Sequence, residues 1–112
     1  MRNFVKIELS SRGEVEKVEL LETSYELIED EYYDKYSDLE SDYDNTEYLE
    51  EFASIEIDEE KGEVMYGFSE EDCTFYVEVE KNEDLCGRLL KGWDNEDSLS
   101  VEFYELIGSL GC

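Results

Sequence analysis

The chain has 112 residues and a formal charge of −25, from 34 acidic and 9 basic residues, with no histidine and no proline. Its 40% hydrophobic and 13% aromatic content excludes a wholly disordered acidic tail, and a chain of this length can bury a modest core. The negative field excludes direct binding to nucleic acid or to anionic membranes and attracts basic protein surfaces instead.

The charge is unevenly distributed along what we predict to be a single domain, residues 1–112. Residues 1–21 hold four acids and four bases and are neutral, whereas residues 22–112 hold 30 acids and five bases. An ordinary N-terminal segment is therefore followed by a strongly acidic one.

The first predicted elements are the two strands of a possible N-terminal hairpin. Residues 3–9 (NFVKIEL) alternate as strands do. SSRG is a turn signal, and residues 14–20 (EVEKVEL) can return as the second strand. A helix that begins near Glu14 is the alternative.

A long acidic helix is predicted next. Thr23 or Ser24 is a candidate N-cap, and Glu26 has the spacing of a capping box with Thr23. SDYDN breaks this helix, and Thr46 can cap a short second one. Five residues recur every three or four positions and form one stripe that we expect to be buried: Tyr25, Ile28, Tyr32, Tyr36 and Leu39.

Alternation and turn signals predict a three-stranded antiparallel meander in the next part of the chain, at residues 53–58, 64–68 and 73–81. A helix capped at Asn82 and ended by Gly92 follows, and Ser98 can cap a last helix. The predicted class is α+β: a small antiparallel sheet, the meander with a possible extra N-terminal hairpin, packed on one face against three to four helices.

Enzymatic and metal-binding chemistry have little support. The commonest general base and metal ligand, histidine, is missing, and carboxylate pairs are inevitable by chance among 34 acids. An EF-hand loop that starts at Asp94 would have Leu99 where glycine is required. We therefore expect no catalytic residue, no metal site and no cofactor.

The cysteines Cys73, Cys86 and Cys112 have no metal-site spacing, and their number is odd. We expect no signal peptide and no membrane span. Together these features predict a cytoplasmic protein with reduced thiols.

The acidic helix is the first candidate binding surface. Residues 22–51 hold 13 acids and one base, a mean spacing of about 2.3 residues, or about 3.5 Å along a helix. The phosphates of one DNA strand are about 3.4 Å apart along the axis. So large a surplus destabilises a fold by self-repulsion, which favours a selected use over a merely solvated face. Carboxylates can replace phosphates against Arg and Lys, and the candidate partner-binding residues here are Glu29, Asp30, Glu31, Asp34 and Asp38.

Residues 53–110 resemble the small acidic anti-CRISPR proteins of phages and prophages that inhibit type II RNA-guided nucleases by mimicking DNA. The resemblance lies in the strand SIEID, the acidic glycine turn EEKGE, the strand VMYGF, the Gly92-Trp93 helix end, the acidic loop DNED and the helix start EFY. In that family the acidic turn and loop occupy the basic cleft that reads the duplex motif beside the target. The resemblance implies these contacts: Asp58, Glu59, Glu60, Gly62, Glu63, Asp94, Asn95, Glu96 and Asp97.

These features predict a non-enzymatic inhibitor that mimics nucleic-acid charge and blocks the DNA-binding cleft of a CRISPR effector nuclease, with a guide-loaded type II nuclease as partner. The alternatives are an immunity protein that neutralises a basic toxin nuclease, and a DNA mimic that binds a restriction, repair or transcription protein. The sequence leaves these targets open, as it does the choice between monomer and homodimer. We also expect crowding to raise carboxyl pKa values and moderate salt to stabilise the fold.

Overall fold

A computed structural model describes residues 1–10, 12, 14–42, 46–69, 72–94 and 101–110. Within these ranges the chain forms five strands and four helices, which confirms the α+β class. In chain order they are β1 (Arg2–Leu9), β2 (Val15–Thr23), α1 (Tyr25–Asp42), α2 (Thr46–Phe52), β3 (Ser54–Asp58), β4 (Glu63–Gly67), β5 (Cys73–Glu78), α3 (Glu83–Asp94) and α4 (Val101–Gly108).

The described strands form one antiparallel sheet in the order β2-β1-β5-β4-β3. β1 and β2 make the predicted N-terminal hairpin, and β3, β4 and β5 make the predicted meander. β1 also pairs with β5, with Phe4 opposite Glu78 and Leu9 opposite Cys73. The hairpin is thus joined to the meander, and the sheet has five strands rather than three.

Helices cover both faces of this sheet, which corrects the prediction of helices on one face. Successive strand residues point to opposite faces: Val5 packs with Phe103 beneath α3 and α4, whereas Phe4 packs beneath α1. Tyr76 and Glu78 alternate with the apolar residues of β5, a pattern that is typical of a strand with one face in solvent. Both are buried, because α1 lies over them and their polar atoms are hydrogen-bonded there.

The sequence predicted that Gly92 ends α3, but Gly92 lies inside the helix, which continues to Asp94. A Cβ atom at Gly92 would lie 2.4 Å from Cδ2 of Phe103 in α4. The glycine therefore allows α3 and α4 to approach closely. Trp93 packs against the same core cluster, and the predicted cap Ser98 lies outside the described residues.

The two described cysteines differ in state. Cys86 is free and buried, and burial raises the pKa of its thiol to about 11. Cys73 is disulfide-bonded. The prediction of reduced thiols is therefore right for Cys86 and wrong for Cys73.

Candidate protein-binding surface

The start of α1 is fixed by a side-chain cap. Ser24 Oγ accepts a hydrogen bond from the backbone N–H of Leu27 at 3.2 Å, which satisfies one of the free donors of the first turn. Ser24 rather than Thr23 is therefore the N-cap.

The predicted stripe holds α1 against the sheet. Ile28 and Tyr32 are buried, with 1% and 6% of their surface exposed. The Tyr32 ring stacks on Phe68, with centroids 5.2 Å apart and planes 9° from parallel. The other members of the stripe are half-buried: Tyr25, Tyr36 and Leu39. The predicted orientation of α1 is therefore confirmed.

Six acids of α1 are exposed, and we call them the α1 acidic face: Glu26, Glu29, Asp30, Asp34, Asp38 and Glu40. Glu26, Asp30, Asp34 and Asp38 lie opposite the buried stripe, whereas Glu29 and Glu40 lie closer to it. Glu26, Asp30, Asp34 and Asp38 recur every four residues and form a row with a rise of about 6 Å per step. The six acids cover about 21 Å of helix, one charge per about 4 Å, close to the 3.4 Å phosphate spacing of a DNA strand. Among the described residues, none of the six has an ion-pair partner.

Lys35 of α1 and Lys6 of β1 point into the protein. Lys35 is the one base of α1, and its Nζ donates a hydrogen bond to Tyr66 Oη at 2.8 Å. Lys6 of β1 is buried, and its Nζ lies 3.2 Å from Glu8 Oε1 and 3.4 Å from Glu31 Oε1. The acidic face therefore keeps its charge, although like charges four residues apart destabilise a helix by about 0.2–0.5 kcal/mol per pair.

Glu31 was predicted as a partner-binding residue because it lies in the acidic run, but it does not belong to this face. Its Oε2 accepts hydrogen bonds from Tyr76 Oη at 2.5 Å and Tyr66 Oη at 2.9 Å. Burial acts to raise the pKa of the Glu31 carboxyl, but these hydrogen bonds and the charges of Lys6 and Lys35 outweigh it and hold that pKa below its ordinary value. Glu31 thus anchors α1 to the sheet and has little to offer a partner.

Sequence reasoning missed a buried carboxylate at the end of β5. Glu78 is fully buried. Its Oε1 accepts a hydrogen bond from Arg2 Nη1 at 2.6 Å, and its Oε2 accepts one from Tyr25 Oη at 2.5 Å. Burial acts to raise the Glu78 pKa, yet the bonds from Tyr25 and Arg2 and the charges of Arg2 and Lys81 lower it below its ordinary value. These contacts join the start of α1 to the sheet.

The turn between β3 and β4 lies beside Glu78. Gly62 in this turn has φ 72°, in the left-handed region that favours glycine. Its carbonyl oxygen accepts a hydrogen bond from the N–H of Glu78 at 2.7 Å, and a Cβ at Gly62 would lie 3.0 Å from Glu78 Cβ. Gly62 was predicted as a contact, but it is buried, and what it supplies here is the turn conformation.

The acids around this turn are mostly accessible. Asp58, Glu59 and Glu60 are exposed, and Glu63 is half-buried. Asp58 Oδ1 accepts a hydrogen bond from the N–H of Lys61 at 3.1 Å, which fixes the turn. We call Asp58, Glu59 and Glu60 the acidic turn.

The structure brings the acidic turn near the first turn of α1, because Glu78 contacts both Gly62 and Tyr25. It does not bring Asp94 there. Asn82, just before α3, donates a hydrogen bond to the Lys61 carbonyl at 2.8 Å, whereas Asp94 is the last residue of α3, about 18 Å further along the helix. Asp94 is exposed, and the other predicted contacts of that loop lie outside the described residues: Asn95, Glu96 and Asp97.

No family model, curated protein or solved structure matches the chain. In the described part of the chain, no helix is long and apolar enough to cross a membrane. The same residues contain no group of three or more His, Cys, Asp or Glu side chains placed to hold a metal ion.

Proposed function

We propose that the protein is a non-enzymatic inhibitor that occupies the basic nucleic-acid-binding cleft of another protein, with a guide-loaded type II CRISPR nuclease as the favoured target. The observation that carries this proposal is the α1 acidic face. Its six exposed carboxylates have a mean axial spacing of about 4 Å, close to that of phosphates in a DNA strand, and no ion-pair partners among the described residues.

The mechanism is competition for the same cations. Arginine and lysine side chains in a nucleic-acid cleft form charge-assisted hydrogen bonds with carboxylates as they do with phosphates. The carboxylates of α1 are carried on a helix that the Tyr32 stripe and the Glu31 network hold in place. Binding therefore orders little of the backbone, which lowers its entropic cost.

The acidic turn extends this surface. Asp58, Glu59 and Glu60 are exposed beside the start of α1, and they belong to the pattern that resembles DNA-mimicking anti-CRISPR proteins. That resemblance is the reason for choosing a CRISPR nuclease over other basic targets. Such a nuclease acts in the cytosol of the host cell, so we place the protein there.

A mobility-shift competition tests the proposal. A guide-loaded type II nuclease is incubated with this protein and then with labelled duplex DNA that carries the target and its recognition motif. We expect the nuclease–DNA band to disappear as the protein is added. A band that contains nuclease, DNA and this protein together would rule out competitive mimicry.

Two variants with the same change in net charge separate the surface from total charge. Asp30→Asn, Asp34→Asn and Asp38→Asn neutralise three of the six carboxylates of the α1 acidic face, and we expect this triple variant to lose competition. The control neutralises three exposed acids elsewhere, with Glu14→Gln, Glu16→Gln and Glu105→Gln. We expect this control to compete as the unaltered chain does. Equal losses in both variants would mean that net charge alone is responsible.

The target is tested in parallel. A basic toxin nuclease and a restriction enzyme are assayed in the same way, and inhibition of one of these with none of the CRISPR nuclease would replace the favoured target. Each assay is run with and without dithiothreitol, because disulfides are rare in the cytosol and Cys73 is disulfide-bonded. We expect competition to persist in the reduced protein, since Cys73 lies on the β5 strand and not in the α1 acidic face.

A further inference from the structure

β3 is an edge strand of the sheet that the described residues form. It pairs with β4 and has no second strand neighbour among the described residues. Four of its five residues are exposed. An edge strand presents a row of unpaired N–H and C=O groups, which is a template for adding another strand.

The two faces of β3 differ in chemistry. Ile55 and Ile57 point to the α1 side of the sheet, where Ile55 packs against the core and Ile57 is 36% exposed. Glu56 and Asp58 alternate with them and point to the other side. An added strand would therefore lie beside apolar residues on one face and beside acids on the other.

The acidic side of β3 borders a groove. The groove has a volume of about 320 Å³, and its described lining residues include Glu56, Glu63, Met65 and Leu110, with Lys61 as the one base among those described. Met65 belongs to the core cluster beneath α3 and α4, so the floor is apolar while the rim is mainly acidic. Such a groove fits the apolar stem and charged head of a lysine or arginine side chain.

Charge excludes a second copy of this chain as the added strand. Two β3 strands paired antiparallel about Glu56 would place the two Glu56 carboxylates directly opposite each other. Like charges in that position destabilise a strand pair. A strand with bases at those positions makes opposite-charge pairs with Glu56 and Asp58 instead.

We propose that β3 docks an extended basic strand of a partner protein, in which lysine or arginine alternates with apolar residues. The apolar residues lie beside Ile55 and Ile57. The basic residues lie beside Glu56 and Asp58, with their stems over the groove. Backbone hydrogen bonds supply affinity and the alternating side chains supply selectivity, as in other strand-addition complexes. This docking surface does not depend on which protein the α1 acidic face inhibits.

The probe is a seven-residue peptide of alternating lysine and valine, acetylated and amidated at its ends. It is titrated at physiological salt into the ¹⁵N-labelled protein, and amide exchange is measured with and without it. We expect saturable binding and new exchange protection at alternate amides of Ser54–Asp58. Protection at Val15–Thr23 instead would mean that the other sheet edge is the docking site, and would overturn the proposal.

A chain this acidic attracts any basic peptide, so the controls isolate the backbone ladder. One control peptide is N-methylated at its valines and the other at its lysines, with charge unchanged. The amides of only one set face β3, so we expect one control to bind at least about tenfold more weakly than the other. Equal affinities would show adhesion by net charge and overturn the proposal.

Two protein variants with equal charge changes complete the test. Glu56→Lys should weaken binding of the unmethylated peptide by about tenfold or more, since it replaces an opposite-charge pair by a like-charge pair. Glu16→Lys on β2 should change it far less. Equal effects of Glu56→Lys and Glu16→Lys would refute the basic-strand assignment. So would the absence of saturable binding, or a concentration-dependent dimer that forms through β3 without peptide. The methylated peptides test the unaltered chain, so the result does not depend on the folding of Glu56→Lys.

Discussion

The hydroxyl of Tyr76 should stabilise the fold through Glu31, and Tyr76→Phe removes that hydroxyl while leaving the ring. Tyr76 is 2% exposed, and its Oη donates to Glu31 Oε2 at 2.5 Å. A hydrogen bond to a charged group contributes about 1.5–3 kcal/mol. Because 34% of the Glu31 side chain is exposed, water can replace part of this bond, and we expect the lower end, about 1.5–2 kcal/mol. For 112 residues this corresponds to a fall in Tm of about 6–9 °C.

The effect should depend on pH with a defined sign. The pKa of Glu31 lies below its ordinary value of 4.5, so the folded state binds the proton less tightly than the unfolded chain does. The charged Glu31 network therefore stabilises the fold above the unfolded pKa, and that stability is lost as pH falls through the folded pKa. The gap between the unaltered chain and Tyr76→Phe should be largest at neutral pH and narrow below about pH 4.5.

Denaturation followed by circular dichroism from pH 7 to pH 3 measures this gap. Both chains carry the same charge at neutral pH, so the difference between them cancels the general effect of acid on a chain of charge −25. Tyr33→Phe is the matched control, because the Tyr33 ring is 56% exposed, and we expect no change there. Equal stability of Tyr76→Phe and the unaltered chain at pH 7, or a gap that is the same at pH 3, would refute the role assigned to Glu31.

Four further outcomes are expected. Thermal melts should show Tm rising between low and moderate NaCl, because screening relieves repulsion among surplus carboxylates; an unchanged Tm would contradict a contiguous acidic surface. Asp34→Asn with Asp38→Asn should keep or raise Tm while lowering partner affinity, and unfolding would contradict their exposed placement. Tyr32→Ala should cost about 3–5 kcal/mol in urea denaturation, as core aromatic truncations do. Gly92→Ala should lower Tm, since overpacking against Phe103 costs about 1–3 kcal/mol against the roughly 1 kcal/mol that alanine gains in a helix; a more stable variant would contradict the close helix approach.

Much of the fold could be predicted because its signals are local. The spacing of Ile28 and Tyr32 gives the period of a helix and the face that it buries. Ser24 caps that helix as the composition of the stretch suggested. The strands of the hairpin and of the meander can be predicted from alternation. The pairing of β1 with β5, which joins them, cannot, because it is a contact between segments that are distant in the sequence.

The buried polar networks could not be read from composition. Glu31 and Glu78 look like two more members of an acidic surface, yet both accept tyrosine hydrogen bonds inside the fold. Their pKa values are lowered, whereas crowding of acids was expected to raise them. The reason is that each carboxylate has hydrogen-bond donors and a basic side chain beside it, and the spacing of acids in the sequence does not reveal these neighbours. One sequence signal was available: Lys6 shares a strand face with the core residue Phe4, and a buried base requires an acid nearby.

The inward placement of Lys6 and Lys35 has a consequence in solution. Bases that are committed inside the fold cannot neutralise the α1 acidic face, so mobile cations from the solvent must gather along it, as they do along a nucleic-acid strand. A basic partner would release those cations when its own fixed charges replace them. Association would then be driven largely by the entropy of the released ions, and the slope of log Kd against log salt would count the carboxylates that a partner covers.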